Sequence, residues 1–261
     1  MFTGSIVAMV TPFKDVAVDY DKLGELVDYH VENGTNAIIP CGTTGESPTL
    51  SHTEHGEVIG KVIETANGRI PVIAGTGSNN TSEAISLTRH AKEAGADGSL
   101  LITPYYNKPT QQGLYDHYKA ILEEVDIPII IYNVPSRTGV SISPETVARL
   151  SEFDNIVAIK EATGDIDQAS QILTLCDITV LSGDDSLTLP IMSIGGKGVV
   201  SVLANILPRE VSELTASIAK GDIKNSQKLH RSLFPLCKAM FIETNPIPVK
   251  TAMKLLGRIN G

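Results

Sequence analysis

The apolar run Ile156-Val157-Ala158-Ile159 ends in Lys160, and a lysine closing a buried strand has chemical consequences. Burial disfavours an ammonium, and a free amine is a nucleophile toward carbonyl carbon. Two readings of Lys160 are open on this ground alone. Its stem snorkels outward or its amine pairs with Glu161, or the amine forms a Schiff base with a carbonyl substrate. The neighbouring run ends favour the Schiff base. Tyr132 closes the preceding run, 28 residues earlier, where a phenol can give and take a proton beside a nascent imine. By itself, a tyrosine so placed is more often a packed ring with a bonded hydroxyl. Thr43 and Thr44 lie in Gly42-Thr43-Thr44-Gly45-Glu46-Ser47, either offering hydroxyls and N–H groups to a carboxylate or forming a tight turn before a helix. Arg137, between Pro135 and Gly139, either forks onto a substrate carboxylate or makes a salt bridge at a rim.

Other chemistries fit less well. His52-Thr53-Glu54-His55 lacks the spacing of zinc-binding helices, and Cys41, Cys176 and Cys237 are scattered. Asp184-Asp185 reads better as a helix N-terminal turn than as a Mg²⁺ site. Gly195-Gly196-Lys197-Gly198 lacks the pattern of a phosphate-binding P-loop.

These residues need a scaffold that brings run ends to one rim. Eight short apolar runs occur at 6–10, 37–41, 70–75, 99–103, 127–132, 156–160, 178–182 and 198–202. Most are continuously apolar instead of alternating, as strands buried on both faces are. The segments between them carry helix signals. Asp19 and Asp21 precede a periodic stretch that Asn33-Gly34 stops, Ser51 and Glu54 make a capping-box pair, and Thr81 opens a helix closed by Gly95. Eight such units predict a (β/α)8 TIM barrel over residues 1–220, with catalytic groups at the C-terminal strand ends. A doubly wound open sheet also alternates strands and helices, but the first run is not followed by Gly-x-Gly-x-x-Gly. Residues 221–261 exceed what a barrel needs and predict a C-terminal helical appendix, with helices at 223–241 and 247–256.

Composition excludes several partners. With 261 residues, 21 Lys plus Arg and 30 Asp plus Glu, the net charge is −9, which argues against nucleic acid and anionic membranes. Hydrophobic residues at 42% and charged residues at 20% describe a globular chain with a core of its own. No apolar run approaches a membrane span, and no signal peptide is expected at Met1. Three unclustered cysteines point to a reducing compartment, so a cytoplasmic location is expected.

Taken together, Gly42–Ser47, Tyr105–Pro109, Tyr132–Gly139 and Ile159–Gly164 closely resemble the 4-hydroxy-tetrahydrodipicolinate synthase family, from Gly4-Ser5-Ile6-Val7 to Pro246-Ile247-Pro248-Val249-Lys250. The resemblance implies a metal-independent lyase, without cofactor, that condenses pyruvate with L-aspartate 4-semialdehyde in lysine and diaminopimelate biosynthesis. It implies Lys160 as the Schiff-base lysine, with Tyr132, Thr43 and Tyr106 as a proton relay in which Tyr106 serves the neighbouring subunit of a homotetramer or homodimer. Thr44 and the Val200 backbone match pyruvate-holding positions, Gly183 matches the strand-seven rim, and Arg137 matches the residue receiving the semialdehyde's carboxylate. The resemblance further implies feedback inhibition by L-lysine at Ser47, Pro48, His52, His55, Asn79, Glu83 and Tyr105. A pyruvate-dependent sugar-acid aldolase such as an N-acetylneuraminate lyase would share Lys160 and Tyr132, and a silent carboxylate-binding barrel would share the fold. Family chains usually continue past the segment matching Leu255-Leu256-Gly257. Residues 221–261 are therefore expected to be a shortened form that leaves the site intact and alters tetramer formation and stability.

Overall fold

A computed structural model describes residues 2–260. Met1 and Gly261, the outer bounds of the two expected units, lie outside the described residues. The eight apolar runs form strands β1 (Gly4–Ala8), β2 (Ala37–Ile39), β3 (Ile73–Gly75), β4 (Gly98–Ile102), β5 (Ile129–Asn133), β6 (Ile156–Glu161), β7 (Thr179–Ser182) and β8 (Gly198–Ser201). All pair in parallel in the order β2-β1-β8-β7-β6-β5-β4-β3. A parallel bridge between Ile38 and Val72 joins the two ends of that order into a ring. The chain is a (β/α)8 barrel.

The pleat explains why the runs are apolar throughout. Alternate residues point inward, and Ile6, Ala8, Ala37, Ile39, Ile73, Leu100, Ile130, Tyr132, Ala158, Leu181 and Val200 fill the barrel as one cluster. Their neighbours Val7, Ile38, Ala74, Leu101, Ile131, Ile159, Val180 and Val199 belong to two further clusters that pack beneath the helices. Each strand is therefore buried on both faces.

The longer helices are α1 (Tyr20–Glu32), α2 (His52–Ala66), α3 (Thr81–Ala94), α4 (Gln111–Glu124), α5 (Pro144–Leu150), α6 (Ile166–Leu175), α7 (Thr188–Ser193), α8 (Pro208–Ala219), α9 (Ile223–Ala239) and α10 (Ile247–Leu255), and a single helical turn, Pro135–Thr138, follows β5. Asp19 caps α1 by accepting from the Lys22 N–H, and Ser51 and Glu54 complete both arms of the capping box on α2. α3 begins at Thr81, as the sequence predicts, and its cap comes one residue earlier. Asn80 is its cap, accepting from the Ser82 N–H at 3.0 Å. Thr81 is thereby inside the helix and bonds His117 Nδ1 at 2.9 Å instead. A small hairpin of Phe13–Lys14 with Ala17–Val18 was not expected, because two-residue arms carry no readable alternation. Among the described residues, no helix is long and apolar enough to cross a membrane.

Candidate active site

The inward faces of β5 and β6 set the centre of the site. Ladder register places Tyr132 directly beside Lys160, and strand parity turns both side chains into the barrel. Lys160 Nζ lies 3.8 Å from the centroid of the Tyr132 ring. Both residues are buried, at 5% and 6% exposure. The alternative pairing of Lys160 with Glu161 does not form. Glu161 faces the opposite side of the strand, where it accepts from Asn133 Nδ2 at 3.1 Å, the Thr163 N–H at 2.9 Å and Gln168 Nε2 at 3.4 Å. Burial raises its carboxyl above the usual range, opposed by the Thr163 and Asn133 hydrogen bonds. Asp184, just past β7, is also raised by burial, against the charges of Lys160 and Lys238.

Tyr132, though not Lys160 itself, lines a cavity of about 530 Å³ whose walls also include Thr43, Arg137, Thr138, Asn245 and Pro246. Its β2 wall is an unusual loop. Cys41 and Glu46, at either end of Gly42–Gly45, have left-handed backbones with φ of 54° and 58°, a conformation that side chains resist and that is often retained at functional sites. A Cβ on Gly75 would stand 2.3 Å from the Cys41 carbonyl oxygen, so only glycine lets β3 approach this loop. Thr44 is 2% exposed, and its Oγ1 accepts from Asn245 Nδ2 at 3.0 Å. Arg137 Nη2 donates to the Asn245 carbonyl at 3.0 Å, and no carboxylate pairs with Arg137 among the described residues. Val200, opposite Ile6 in the ladder, is fully buried in the cluster that contains Tyr132. Gly183 donates its N–H to the Glu161 carbonyl at 2.7 Å, in a space where a Cβ would meet Ala162. Tyr106 is outside the cavity, 91% exposed, with φ of 71°.

The same cavity continues past Ser47 and Pro48 to Tyr105, His52, His55 and Glu83. Glu83 Oε1 lies 3.0 Å from His52 Nε2, and its other oxygen accepts from the Ser78 hydroxyl. His55 Nε2 is 2.9 Å from the Gly75 carbonyl, and burial holds the imidazole below its ordinary pKa. Asn79 is not part of this wall; its carbonyl accepts from Asn107 Nδ2 at 3.0 Å.

Asp185 opens a short 3₁₀ turn, Asp185–Leu187, as the sequence predicts, but no side chain caps that turn. Its carboxylate accepts from Ser201 Oγ at 2.5 Å and from the Val202 and Leu203 N–H groups, each at 3.0 Å, tying the end of β7 to the end of β8. No group of three or more His, Cys, Asp or Glu among the described residues could hold a metal ion. The structure adds three residues that the chemistry-led reading passed over. Asn245 and Pro246 wall the cavity, and Lys250 bonds Glu46 at 2.7 Å. The one sequence signal for them was that they lie at the edge of the motif 246–250.

With this geometry in hand, comparison with known proteins is informative. The profile of the Dihydrodipicolinate synthetase family matches residues 1–261. The 4-hydroxy-tetrahydrodipicolinate synthase of Geobacter sp. (strain M21) is 62% identical over 260 residues, covering 99% of this chain and 90% of the relative. The chloride-inhibited dihydrodipicolinate synthase of Acinetobacter baumannii, complexed with pyruvate, is 50% identical with a TM-score of 0.97, over 99% of this chain and 90% of that one. A lysine-bound enzyme of the same kind from Cyanidioschyzon merolae is 43% identical with a TM-score of 0.96, over 98% and 89% of the two chains. A buried lysine beside a tyrosine at the mouth of a barrel, matched along its whole length, places this chain in the Dihydrodipicolinate synthetase family.

Proposed function

We propose that this chain condenses pyruvate with L-aspartate 4-semialdehyde to give 4-hydroxy-tetrahydrodipicolinate, through a Schiff base on Lys160. The observation that carries the reading is the buried amine of Lys160, 3.8 Å from the ring of Tyr132, which lines a cavity together with Thr43 and Thr138. The amine adds to the pyruvate ketone, and water leaves as the imine forms. The imine nitrogen draws electrons from the adjacent methyl, so loss of a methyl proton gives an enamine without a strong base. The enamine carbon then attacks the semialdehyde's aldehyde. The substrate's own amine displaces Lys160 by transimination, closing the ring and restoring the free lysine. Tyr132 and Thr43 move protons at the methyl carbon beside the imine and at the aldehyde oxygen. Thr44 and the Val200 backbone hold the pyruvate carboxylate, Gly183 shapes the rim of β7, and Arg137 receives the second carboxylate through its planar fork.

Tyr106 completes the relay from a neighbouring subunit of a homodimer or homotetramer, which its exposure on the isolated chain supports. Residues 1–220 act as the catalytic barrel and 221–261 as a helical segment serving it. Free thiols at Cys41, Cys176 and Cys237 fit a cytoplasmic setting. The defining assay supplies pyruvate with aspartate semialdehyde in one arm and N-acetylneuraminate in the other. Turnover is expected in the first arm alone; turnover of the sugar acid alone would move the chain to the lyase reading.

L-Lysine is proposed as a feedback inhibitor bound at Ser47, Pro48, His52, His55, Glu83 and Tyr105 of the cavity wall and at Asn79, which lies outside that wall. Glu83, half-exposed in the cavity wall, would accept the effector's ammonium. A lysine titration is expected to give saturable inhibition that Glu83→Gln weakens about ten-fold, the scale of a charge-assisted hydrogen bond. Unchanged activity at saturating lysine would remove this role and leave Glu83 as a first-turn residue complementing the α3 dipole.

A further inference from the structure

The segment 243–250 belongs to no barrel strand or barrel helix, yet it touches the site from above in three places. Asn245 Nδ2 donates to Thr44 Oγ1 at 3.0 Å. The Asn245 carbonyl accepts from Arg137 Nη2, also at 3.0 Å. Lys250 Nζ bonds Glu46 Oε1 at 2.7 Å and sits 4.5 Å from the centre of the Phe13 ring. Thr44 follows β2 and Arg137 follows β5, so a single residue from outside the barrel connects two of its loops. Asn245 is 6% exposed and its neighbour Pro246 lines the same cavity.

We propose that Asn245 is a positioning residue that sets the two carboxylate-binding groups through separate atoms, the Thr44 hydroxyl by its side-chain amide and the Arg137 guanidinium by its backbone carbonyl. The inference rests on the roles given above to Thr44 and Arg137. A threonine hydroxyl has one proton and two lone pairs and rotates freely unless something fixes it. A donor on its oxygen from the Asn245 side turns the Thr44 proton elsewhere, toward an anionic substrate. Arg137 is handled differently. One of its five N–H donors is spent on a backbone carbonyl, which orients the guanidinium plane and leaves the others for a carboxylate. Lys250, bonded to Glu46 one turn of chain further on, fastens the segment to the same β2 loop.

Because the two arms use different atoms, substitution separates them. Asn245→Ala deletes the amide and keeps the carbonyl. Its KM for pyruvate is expected to rise about ten-fold, the scale of losing one aligned hydrogen bond to a charged group. The KM for aspartate semialdehyde and kcat are expected to stay within about two-fold. Thr44→Val and Arg137→Ala are the reference variants, raising the KM for pyruvate and for the semialdehyde respectively. Asn245→Ala made on top of Thr44→Val should add nothing further to the pyruvate KM, since both changes remove the same interaction. Asn245→Asp is the second variant if the alanine protein folds poorly. It preserves shape but sets an acceptor against Thr44, so its pyruvate KM should rise at least as far.

Three results overturn the inference. An unchanged pyruvate KM in both Asn245 variants, with Thr44→Val raised, rejects the positioning role and leaves the site assignment standing. Equal losses in both KM values and kcat, with lowered thermal stability, make Asn245 a purely structural residue. An unchanged pyruvate KM in Thr44→Val itself rejects the assignment of Thr44 and the inference with it.

Discussion

Lys160→Ala is expected to lose the pyruvate adduct that borohydride traps on the parent enzyme, and to lower condensation by on the order of 10⁴-fold or more. The expectation follows from where the amine sits. Strand parity and the β5–β6 ladder hold Nζ over the Tyr132 ring in a site where the residue is only 5% exposed. The Lys160 amine makes no hydrogen bond or ion pair among the described residues; its charge acts on the half-buried Asp184, whose carboxyl is already raised by burial and can take up a proton when that charge is lost, so the fold should survive. Lys160→Arg makes the test sharper. Arginine keeps a positive charge to attract pyruvate, but its guanidinium stays protonated and is not a nucleophile. If the lysine acts only as a charge, the arginine variant retains activity. If it acts covalently, both variants fail alike. Intact-mass and peptide measurements after pyruvate and borohydride read this directly. An adduct in either variant, or on another lysine of the parent, would refute the Schiff-base assignment.

The sequence made Lys160 and Tyr132 legible because their signal is local. A strand buried on both faces must be apolar along its length, so a polar residue closing such a run stands out. The equal parity of Ala158 with Lys160, and of Ile130 with Tyr132, carries the inward direction along each strand. The barrel itself was legible for the same reason, since eight runs with helix signals between them leave few topologies. What stayed hidden depends on contacts far apart in the chain. Asn245 meets Thr44 across 201 residues and Lys250 meets Glu46 across 204, and no periodicity links either pair. Asp185 was legible as the start of a helical turn, but not the tie its carboxylate makes to the N–H groups of Val202 and Leu203. The left-handed backbones of Cys41 and Glu46 were equally unreadable, because neither residue type favours that conformation.

Tyr132→Phe separates proton transfer from imine formation, and its expected effect is the second largest, a fall in kcat of about 10²–10³-fold. The ring is what the barrel packs against. It belongs to the interior cluster with Ile130, Leu181 and Val200 and forms the face over which Lys160 Nζ lies. Phenylalanine keeps that ring and its cation–π contact, so Lys160 stays in place and stability should change little. What disappears is the phenolic hydroxyl, and with it one stage of the proton relay proposed for Tyr132 and Thr43, both of which line the cavity. Borohydride should therefore still trap pyruvate on Lys160 in the variant, more slowly than in the parent. Thr43→Val is expected to lower kcat in the same direction. Combined with Tyr132→Phe it should cost less than the product of the two single losses, since both changes interrupt one chain of hydroxyls. Fully multiplicative losses would place the two groups on separate steps. A Tyr132→Phe enzyme with undiminished kcat would show that the tyrosine is a packed ring and nothing more, and the proton of the methyl carbon beside the imine would then need another carrier.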